Sequence, residues 1–299
     1  MSVDVKKIST EARNASSLHL DEMSTEDLLI TINNEDQKVP VVVKGAIPQI
    51  AKFVDAAKEK LLQGGRLIYI GAGTSGRIGL LDASECPPTF GVSKEQIMGL
   101  LAGGLEAFVS AKEGAEDSAE LGVSDCKAIN LTGKDCLVGI AASGRTPYVI
   151  GAINYAKRIG ALTGCIVNAS NSILASMVDY PIEAATGAEV LSGSTRMKSG
   201  TAQKLICNMI STSLMTKLGH VYQNLMVDVV ATNEKLVARQ LGIIQSATGV
   251  DNDRSKELLA KYGTVKLAIY GYFTGASVED AKRALALHQD NLTKSLKDK

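Results

Sequence analysis

Through the middle of the chain, short apolar runs alternate with longer amphipathic stretches. The apolar runs have strand length, end in small or polar residues, and cover 66–73, 135–144, 160–170 and 179–189. The amphipathic stretches have apolar positions three and four residues apart, which predicts helices over 46–65, 146–160 and 195–219. Strands that alternate with helices in this way are typical of a parallel sheet. The pattern therefore predicts an α/β fold, in which a parallel sheet is flanked by helices in a three-layer sandwich.

The two ends of the chain have a different pattern. Near the start, "STED" over 24–27 forms a capping box, which predicts the beginning of a helix. Past Asn233, short helical stretches are divided by Gly and Asp/Asn signals; Gly275 ends one of them and Ser277 begins another. We therefore predict an N-terminal helical or extended segment (1–45), an α/β domain (46–232) and a small C-terminal helical subdomain (233–299).

Composition and charge narrow the classes of function. The 299 residues carry 32 Lys and Arg against 32 Asp and Glu, so the formal net charge is zero. Without a basic excess, a nucleic-acid partner is not expected. The N-terminus has no apolar core of signal-peptide length, and no segment reaches membrane-spanning length, so we expect a cytoplasmic protein without a membrane contact.

The cysteines and histidines give little support for a metal site. The five cysteines are scattered and lie mostly in apolar runs, which favours buried thiols in a reducing compartment: Cys86, Cys126, Cys136, Cys165 and Cys207. The three histidines are far apart in sequence and have no motif spacing: His19, His220 and His288. We expect neither a metal nor an organic cofactor.

Two loops at predicted strand ends contain the candidate binding chemistry. The first strand leads into "GAGTSGR" (71–77) and the second into "AASGRTP" (141–147), and both loops would lie at the carboxyl edge of the sheet. The first loop fits the G-x-G-x-x-G pattern of dinucleotide sites, but no strand ending in an acid follows it. A single phosphate fits better, bound by backbone N–H groups and hydroxyls. The candidate ligands are Gly73, Thr74, Ser75, Ser143, Gly144 and Thr146. Simple helix capping by Ser and Thr is the alternative.

Several longer segments identify a family resemblance. "GAGTSGRIGLLDASECPPTFG", "AGGLEAFVSAKEGAEDS", "GAEVLSGSTRMKSGTAQKLICNMIST" and "NLMVDVVATNEKL" resemble successive signature blocks of the N-acetylmuramic acid 6-phosphate etherases. The paired loops are similar to those of the sugar isomerase (SIS) domain, which binds phosphosugars. The resemblance covers nearly the whole chain. It implies cleavage of the substrate to N-acetylglucosamine 6-phosphate and D-lactate, without a cofactor, by a cytoplasmic homodimer that salvages cell-wall sugars.

The resemblance points to two carboxylates as the catalytic pair, Glu85 and Glu116. We assign Glu116 as the base at C2 and Glu85 as the acid that protonates departing lactate, although the sequence leaves these roles exchangeable. Glu85 would need a pKa raised by burial, which its apolar neighbours favour. A straight helix would carry it away from the phosphate, so either Pro87-Pro88 end the helix and turn the chain back, or Glu85 serves the site of the neighbouring subunit. Without the resemblance, both acids would be ordinary surface residues.

A third loop supplies weaker candidates, and rival functions remain open. In "EVLSGSTRMKSG" (189–200) we expect Ser192 and Ser194 near the sugar, and Glu189 on a sugar hydroxyl. The rivals are a non-catalytic phosphosugar-sensing regulator and an aldose–ketose isomerase on the same fold. A glycosidase, which also uses two carboxylates, ranks last because it needs no phosphate site.

Overall fold

The computed structural model describes residues 10, 12–110, 112–231 and 233–298. The chain forms two compact units, one of Met1–Ser84 with Glu95–Ile210 and one of Glu85–Lys94 with Ser211–Lys299. Helices α3 and α8 each contribute residues to both units.

The first unit is built on a five-stranded sheet. Its strands are β1 (Leu67–Gly71), β2 (Ile97–Leu101), β3 (Cys136–Ile140), β4 (Leu162–Val167) and β5 (Tyr180–Glu183). All neighbouring strands are parallel, in the order β2-β1-β3-β4-β5. The helices that accompany them are α1 (Thr25–Asp36), α2 (Lys38–Leu62), α3 (Gly73–Phe90), α4 (Glu106–Val109), α5 (Ala119–Ala128), α6 (Pro147–Arg158), α7 (Ile173–Met177) and α8 (Lys198–Lys217).

Alternate side chains of the buried strands face opposite helical layers. Ile68 and Ile70 of β1 pack in one apolar cluster with Val149 and Ile153 of α6. Tyr69 points the other way, and its hydroxyl donates to the carbonyl oxygen of Cys207 in α8 at 3.3 Å. Such two-sided burial explains why the strands are nearly continuous apolar runs. The predicted three-layer α/β fold is confirmed.

The structure corrects two expectations about the region after β1. Strand β2 was not predicted; it is a five-residue strand at the edge of the sheet, and its three central residues are only partly buried. A Cβ at Gly99 would lie 2.7 Å from Cα of Leu80, so only glycine lets α3 approach this closely. The expected end of the helix before Pro87 is wrong, since α3 continues to Phe90 with both prolines in its last turn. Strand β2 ends at Leu101 and so adds no acid for a ribose.

The second unit is helical and has its own apolar core. Its helices after α8 are α9 (Glu234–Thr248), α10 (Asn252–Tyr262), α11 (Val265–Thr274), α12 (Val278–Leu287) and α13 (Leu292–Lys297). As predicted, Gly275 ends α11 with φ of 68°, and the Ser277 side chain accepts a hydrogen bond from the N–H of Asp280. Ile244 and Ala268 are fully buried in the core of this unit.

All five cysteines are free and buried, as expected. In the described part of the chain, no helix combines the length and apolarity needed to cross a bilayer.

Candidate functional site

The strand order places the two candidate loops at a topological switch point. From β1, the chain passes to β2 on one side and later returns through β3 on the other. In doubly wound sheets, ligands bind in the crevice outside the carboxyl ends of the strands at such a point. The two segments leave β1 and β3 there: residues 72–76, of which 73–76 form the first turn of α3, and the loop of residues 141–146. The topology therefore independently favours the edge that the sequence predicted.

The three glycines of the first loop have different roles. A Cβ at Gly71 would lie 2.7 Å from the backbone nitrogen of Gly76, and one at Gly76 would lie 2.4 Å from the oxygen of Gly71. These two glycines therefore let α3 start directly against β1. Gly73 is different, because it has φ of 52° and a Cβ there would meet open space. It leaves the backbone accessible to a ligand.

Among the residues that the structure describes, the hydroxyl groups of these two segments have no hydrogen-bond partner. Elsewhere, Ser24, Ser118 and Ser172 each accept a hydrogen bond from a helix N–H, as capping serines do. Thr146 precedes α6 but makes no capping bond. Within the described part of the chain, the side chains that lack any hydrogen bond include those of Thr74, Ser75, Ser143 and Thr146. The capping alternative therefore does not explain these residues.

The second loop is fixed from behind. Gly144 has φ of 64°, and its carbonyl oxygen accepts the N–H of Leu174 in α7 at 3.0 Å. A Cβ at this position would lie 2.4 Å from Oγ of Ser172. Only glycine fits such a contact with positive φ. The loop conformation is therefore set by the fold, with Ser143 and Thr146 half-buried on it.

Glu116 shares a pocket with Gly73. The pocket has a volume of about 230 Å³, and all of its lining belongs to the first unit: Ala72, Gly73, Arg77, Ala102, Ala107, Lys112, Glu113, Gly114, Ala115 and Glu116. Glu116 is exposed on a short 3-10 turn (Ala115–Asp117), and Ala115 packs against the apolar core beside it. The fold thus places Glu116, a predicted catalytic carboxylate, in the same pocket as Gly73, a predicted ligand of the phosphate.

Arg77 was not predicted as a site residue. It belongs to α3, and its side chain lines this pocket. Its Nε donates to the carbonyl oxygen of Phe108 and its Nη2 to that of Ala107, both at 2.8 Å. These bonds hold the side chain across the pocket wall. A signal was present, because both loops contain "SGR", which puts Arg77 and Arg145 at equivalent positions.

Glu85 differs from expectation in its burial. It lies in the part of α3 that belongs to the second unit, and its side chain is exposed in the single chain. The neighbouring Cys86 and Phe90 are buried, but they do not shield the Glu85 carboxylate from water. The expected burial of Glu85 is therefore absent here.

Glu189 is fully buried, and its carboxylate accepts hydrogen bonds from the first residues of α8. Its Oε2 accepts the backbone N–H of Lys198, and its Oε1 accepts both the N–H and the hydroxyl of Ser199, all at 2.9 Å. A carboxylate is favourable at a helix N-terminus, where free N–H groups and the helix dipole both stabilise its charge. The expected contact of Glu189 with a sugar hydroxyl is replaced by this role. Ser192 is exposed and Ser194 half-buried in the preceding turn.

Lys198 also forms a buried ion pair. Its Nζ lies 2.6 Å from Oε2 of Glu35 in α1, with 3% and 5% of the two side chains exposed. Burial opposes ionisation of Glu35, but hydrogen bonds from Lys198 and Lys38 outweigh it and lower the pKa of Glu35 from 4.5 to about 2. The pair joins α1 to the start of α8.

We expect Lys198→Met to destabilise the protein by about 3 kcal/mol, because it leaves the Glu35 carboxylate buried with fewer partners. A depressed folded-state pKa contributes stability above pH 4.5 that is lost as the pH falls towards about 2. The variant should lose much of this acid dependence. Urea unfolding between pH 7 and pH 3 measures both effects. Lys38→Met is the comparison, because Lys38 binds the same carboxylate but is 63% exposed, so water can replace it and its loss should cost less. Equal losses in the two variants would contradict the account.

No side-chain cluster in the described ranges is arranged to hold a metal, since none groups three or more His, Cys, Asp or Glu suitably.

Comparison with known proteins gives the families that this chain matches. Residues 49–157 match the family "Glucokinase regulatory protein N-terminal SIS domain", and residues 124–213 match the SIS domain. A solved structure of a protein from E. coli CFT073 is similar in fold with a TM-score of 0.50 at 16% identity, covering 68% of this chain and 97% of that chain.

Curated relatives extend the match to nearly the full length. The chain is 53% identical to an N-acetylmuramic acid 6-phosphate etherase of Halalkalibacterium halodurans, over 93% of this chain and 94% of the relative. It is 50% identical to one of Clostridium beijerinckii, over 99% and 98%. Matches of this identity and coverage establish a common family. The chain belongs to the N-acetylmuramic acid 6-phosphate etherase family.

Proposed function

We propose that this protein cleaves the D-lactyl ether of N-acetylmuramic acid 6-phosphate, giving N-acetylglucosamine 6-phosphate and D-lactate. The observation that carries the proposal is the shared pocket of Glu116 and Gly73, which brings a carboxylate to the phosphosugar loop. The relatives named as etherases match almost the whole chain, which supports the same activity. A regulator or an isomerase is not favoured by these matches.

The chemistry requires the sugar to be activated before the ether breaks. Ethers resist direct hydrolysis at neutral pH, but in the open-chain sugar the C1 aldehyde acidifies the proton on C2. A base removes that proton, the C2–C3 double bond forms, and the C3–O bond breaks as the lactate oxygen takes a proton from an acid. Water then adds its hydroxyl to C3 and a proton returns to C2. The sequence is redox-neutral and makes a carbon–oxygen lyase step followed by hydration.

We assign Glu116 as the base at C2. Its exposed carboxylate can reach a ligand in the pocket, and the 3-10 turn that carries it is anchored by Ala115. We assign Glu85 as the group that protonates departing lactate and then deprotonates water. This second role is supported by the family resemblance, and the two roles are exchangeable until variants separate them.

The phosphate is proposed to bind at the two loops of the switch point. The unused hydroxyls of Thr74, Ser75, Ser143 and Thr146 can donate to its oxygens, and Gly73 and Gly144 leave the backbone open to close approach. The start of α6 adds free N–H groups, and the positive end of its dipole favours an anion. Ser192 and Ser194 remain proposed sugar contacts. We further propose that the enzyme acts as a cytoplasmic homodimer in the salvage of bacterial cell-wall sugars.

The test is incubation of the purified protein with N-acetylmuramic acid 6-phosphate, with D-lactate and N-acetylglucosamine 6-phosphate measured separately. We expect equal amounts of the two products. Binding of the substrate without release of D-lactate would instead favour a regulator. Exchange of the C2 proton with solvent while the sugar keeps its lactyl group and every other substituent would favour an isomerase.

A further inference from the structure

The proposed substrate carries two anions, the phosphate and the carboxylate of its lactyl group. Hydroxyls and N–H groups at the switch point suit the phosphate. A carboxylate that enters a pocket loses water and needs a charged or hydrogen-bonding partner there. The lactyl carboxylate also distinguishes this substrate from other phosphosugars, so its partner would determine specificity.

The position of Glu116 limits where that partner lies. If Glu116 removes the proton from C2, the lactyl group on the adjacent C3 must enter the same pocket. Its carboxylate carbon lies four bonds from C2, through C3, the ether oxygen and one further carbon; at about 1.5 Å per bond and tetrahedral angles, the two carbons are at most roughly 5 Å apart. The partner should therefore be a cation that lines the pocket of Glu116.

Two cations line this pocket, and they differ in availability. Lys112 is about half exposed, and its Nζ pairs with Oε2 of Glu106 at 2.7 Å. Arg77 is half-buried and held in place by the carbonyl oxygens of Ala107 and Phe108. These bonds use two of the five guanidinium N–H donors, and within the described residues the Nη1 group has no hydrogen-bond partner. Arg77 is thus both oriented and able to donate further.

We propose that Arg77 binds the carboxylate of the lactyl group and so selects the lactyl ether among phosphosugars; this inference rests on the proposed function. A planar guanidinium can present two parallel N–H donors to a carboxylate, which gives geometric selectivity as well as charge. Fixing this carboxylate also fixes the C3–O bond relative to Glu116. Arg77 is a binding residue for the departing group, while Glu116 acts on the carbon skeleton.

The test compares two substrates in parallel: N-acetylmuramic acid 6-phosphate and its analogue with a primary amide in place of the lactyl carboxylate. Release of N-acetylglucosamine 6-phosphate is measured for both. We expect the unaltered protein to prefer the carboxylate substrate. Arg77→Met should lower kcat/KM for that substrate by about 10- to 100-fold and leave the amide nearly unchanged, so that the preference disappears. Arg77→Lys should recover part of it.

Arg158→Met is the matched control, because Arg158 is exposed at the C-terminal end of α6, whose N-terminal end follows the switch point. It should keep the preference intact. An equal loss on both substrates in Arg77→Met would overturn the inference, since it would mean that Arg77 only supports the backbone at Ala107 and Phe108. If the unaltered protein released no sugar product from the carboxylate substrate, the proposed function itself would fail.

Discussion

Glu116→Gln is expected to abolish both exchange of the C2 proton with solvent and release of D-lactate. The amide keeps the size of the side chain but cannot accept the proton, so the first step of the elimination stops. Loss of a general base typically costs about 10²–10⁴ in rate. Deuterium incorporation at C2, followed by NMR in heavy water, reports the proton step directly, and a D-lactate assay reports the whole reaction.

Glu113→Gln is the matched control for this change. Glu113 lies three residues earlier, lines the same pocket and is also exposed, so the two variants remove the same charge from the same cavity. We expect Glu113→Gln to retain C2 exchange within a few-fold of the unaltered protein. Retained exchange in Glu116→Gln would show that another group is the base.

Glu85→Ala is expected to block lactate release while C2 exchange continues. Without an acid to protonate the ether oxygen, the C3–O bond breaks about 10²–10⁴ times more slowly, but removal of the C2 proton does not require that acid. The substrate recovered from heavy water should therefore contain deuterium at C2 and still carry its lactyl group. Mass spectrometry of that substrate measures both features at once.

This pattern separates the two carboxylates. If Glu85→Ala lost C2 exchange and lactate release equally, the assignment of distinct roles would be wrong. If it lost exchange but Glu116→Gln did not, the two roles would simply be reversed. Because Glu85 is exposed in the single chain, its substitution should leave the free energy of unfolding almost unchanged, which a thermal melt can verify.

The sequence predicted the features that depend on local periodicity. Fully buried strands such as β3 are mostly apolar, and the capping residues Ser24 and Ser277 have the local chemistry of helix starts, so both were predicted. Strand β2 was missed because it is short, lies at the edge of the sheet and is only partly buried at its centre. The need for glycine at position 99 comes from the close approach of Leu80, which depends on tertiary packing. The end of α3 was misjudged because Pro87 and Pro88 were expected to stop the helix, whereas the residue that follows its last turn is Gly91, which has φ of 68° and donates its N–H to the carbonyl oxygen of Pro87.

The parts of the site that lie at the ends of strands were predictable from the sequence. The two hydroxyl-rich loops follow from the strand pattern, and the strand order adds the switch point between them. The role of Glu189 was not predicted although its partner Lys198 is only nine residues away, because the pattern does not show that the intervening turn folds back and buries the carboxylate at the start of α8. Arg77 was visible in the repeated "SGR", but its orientation depends on carbonyl groups about thirty residues away in the chain.

The central claim is that the ether breaks between C3 and oxygen by elimination and that water is then added to the sugar. Reaction in water enriched in oxygen-18 tests it most directly, with the label located by NMR isotope shifts at C3, apart from the exchangeable oxygen at C1. The account predicts oxygen-18 on C3 of N-acetylglucosamine 6-phosphate and none in the hydroxyl of D-lactate. Label in the lactate hydroxyl, with unlabelled C3, would contradict it.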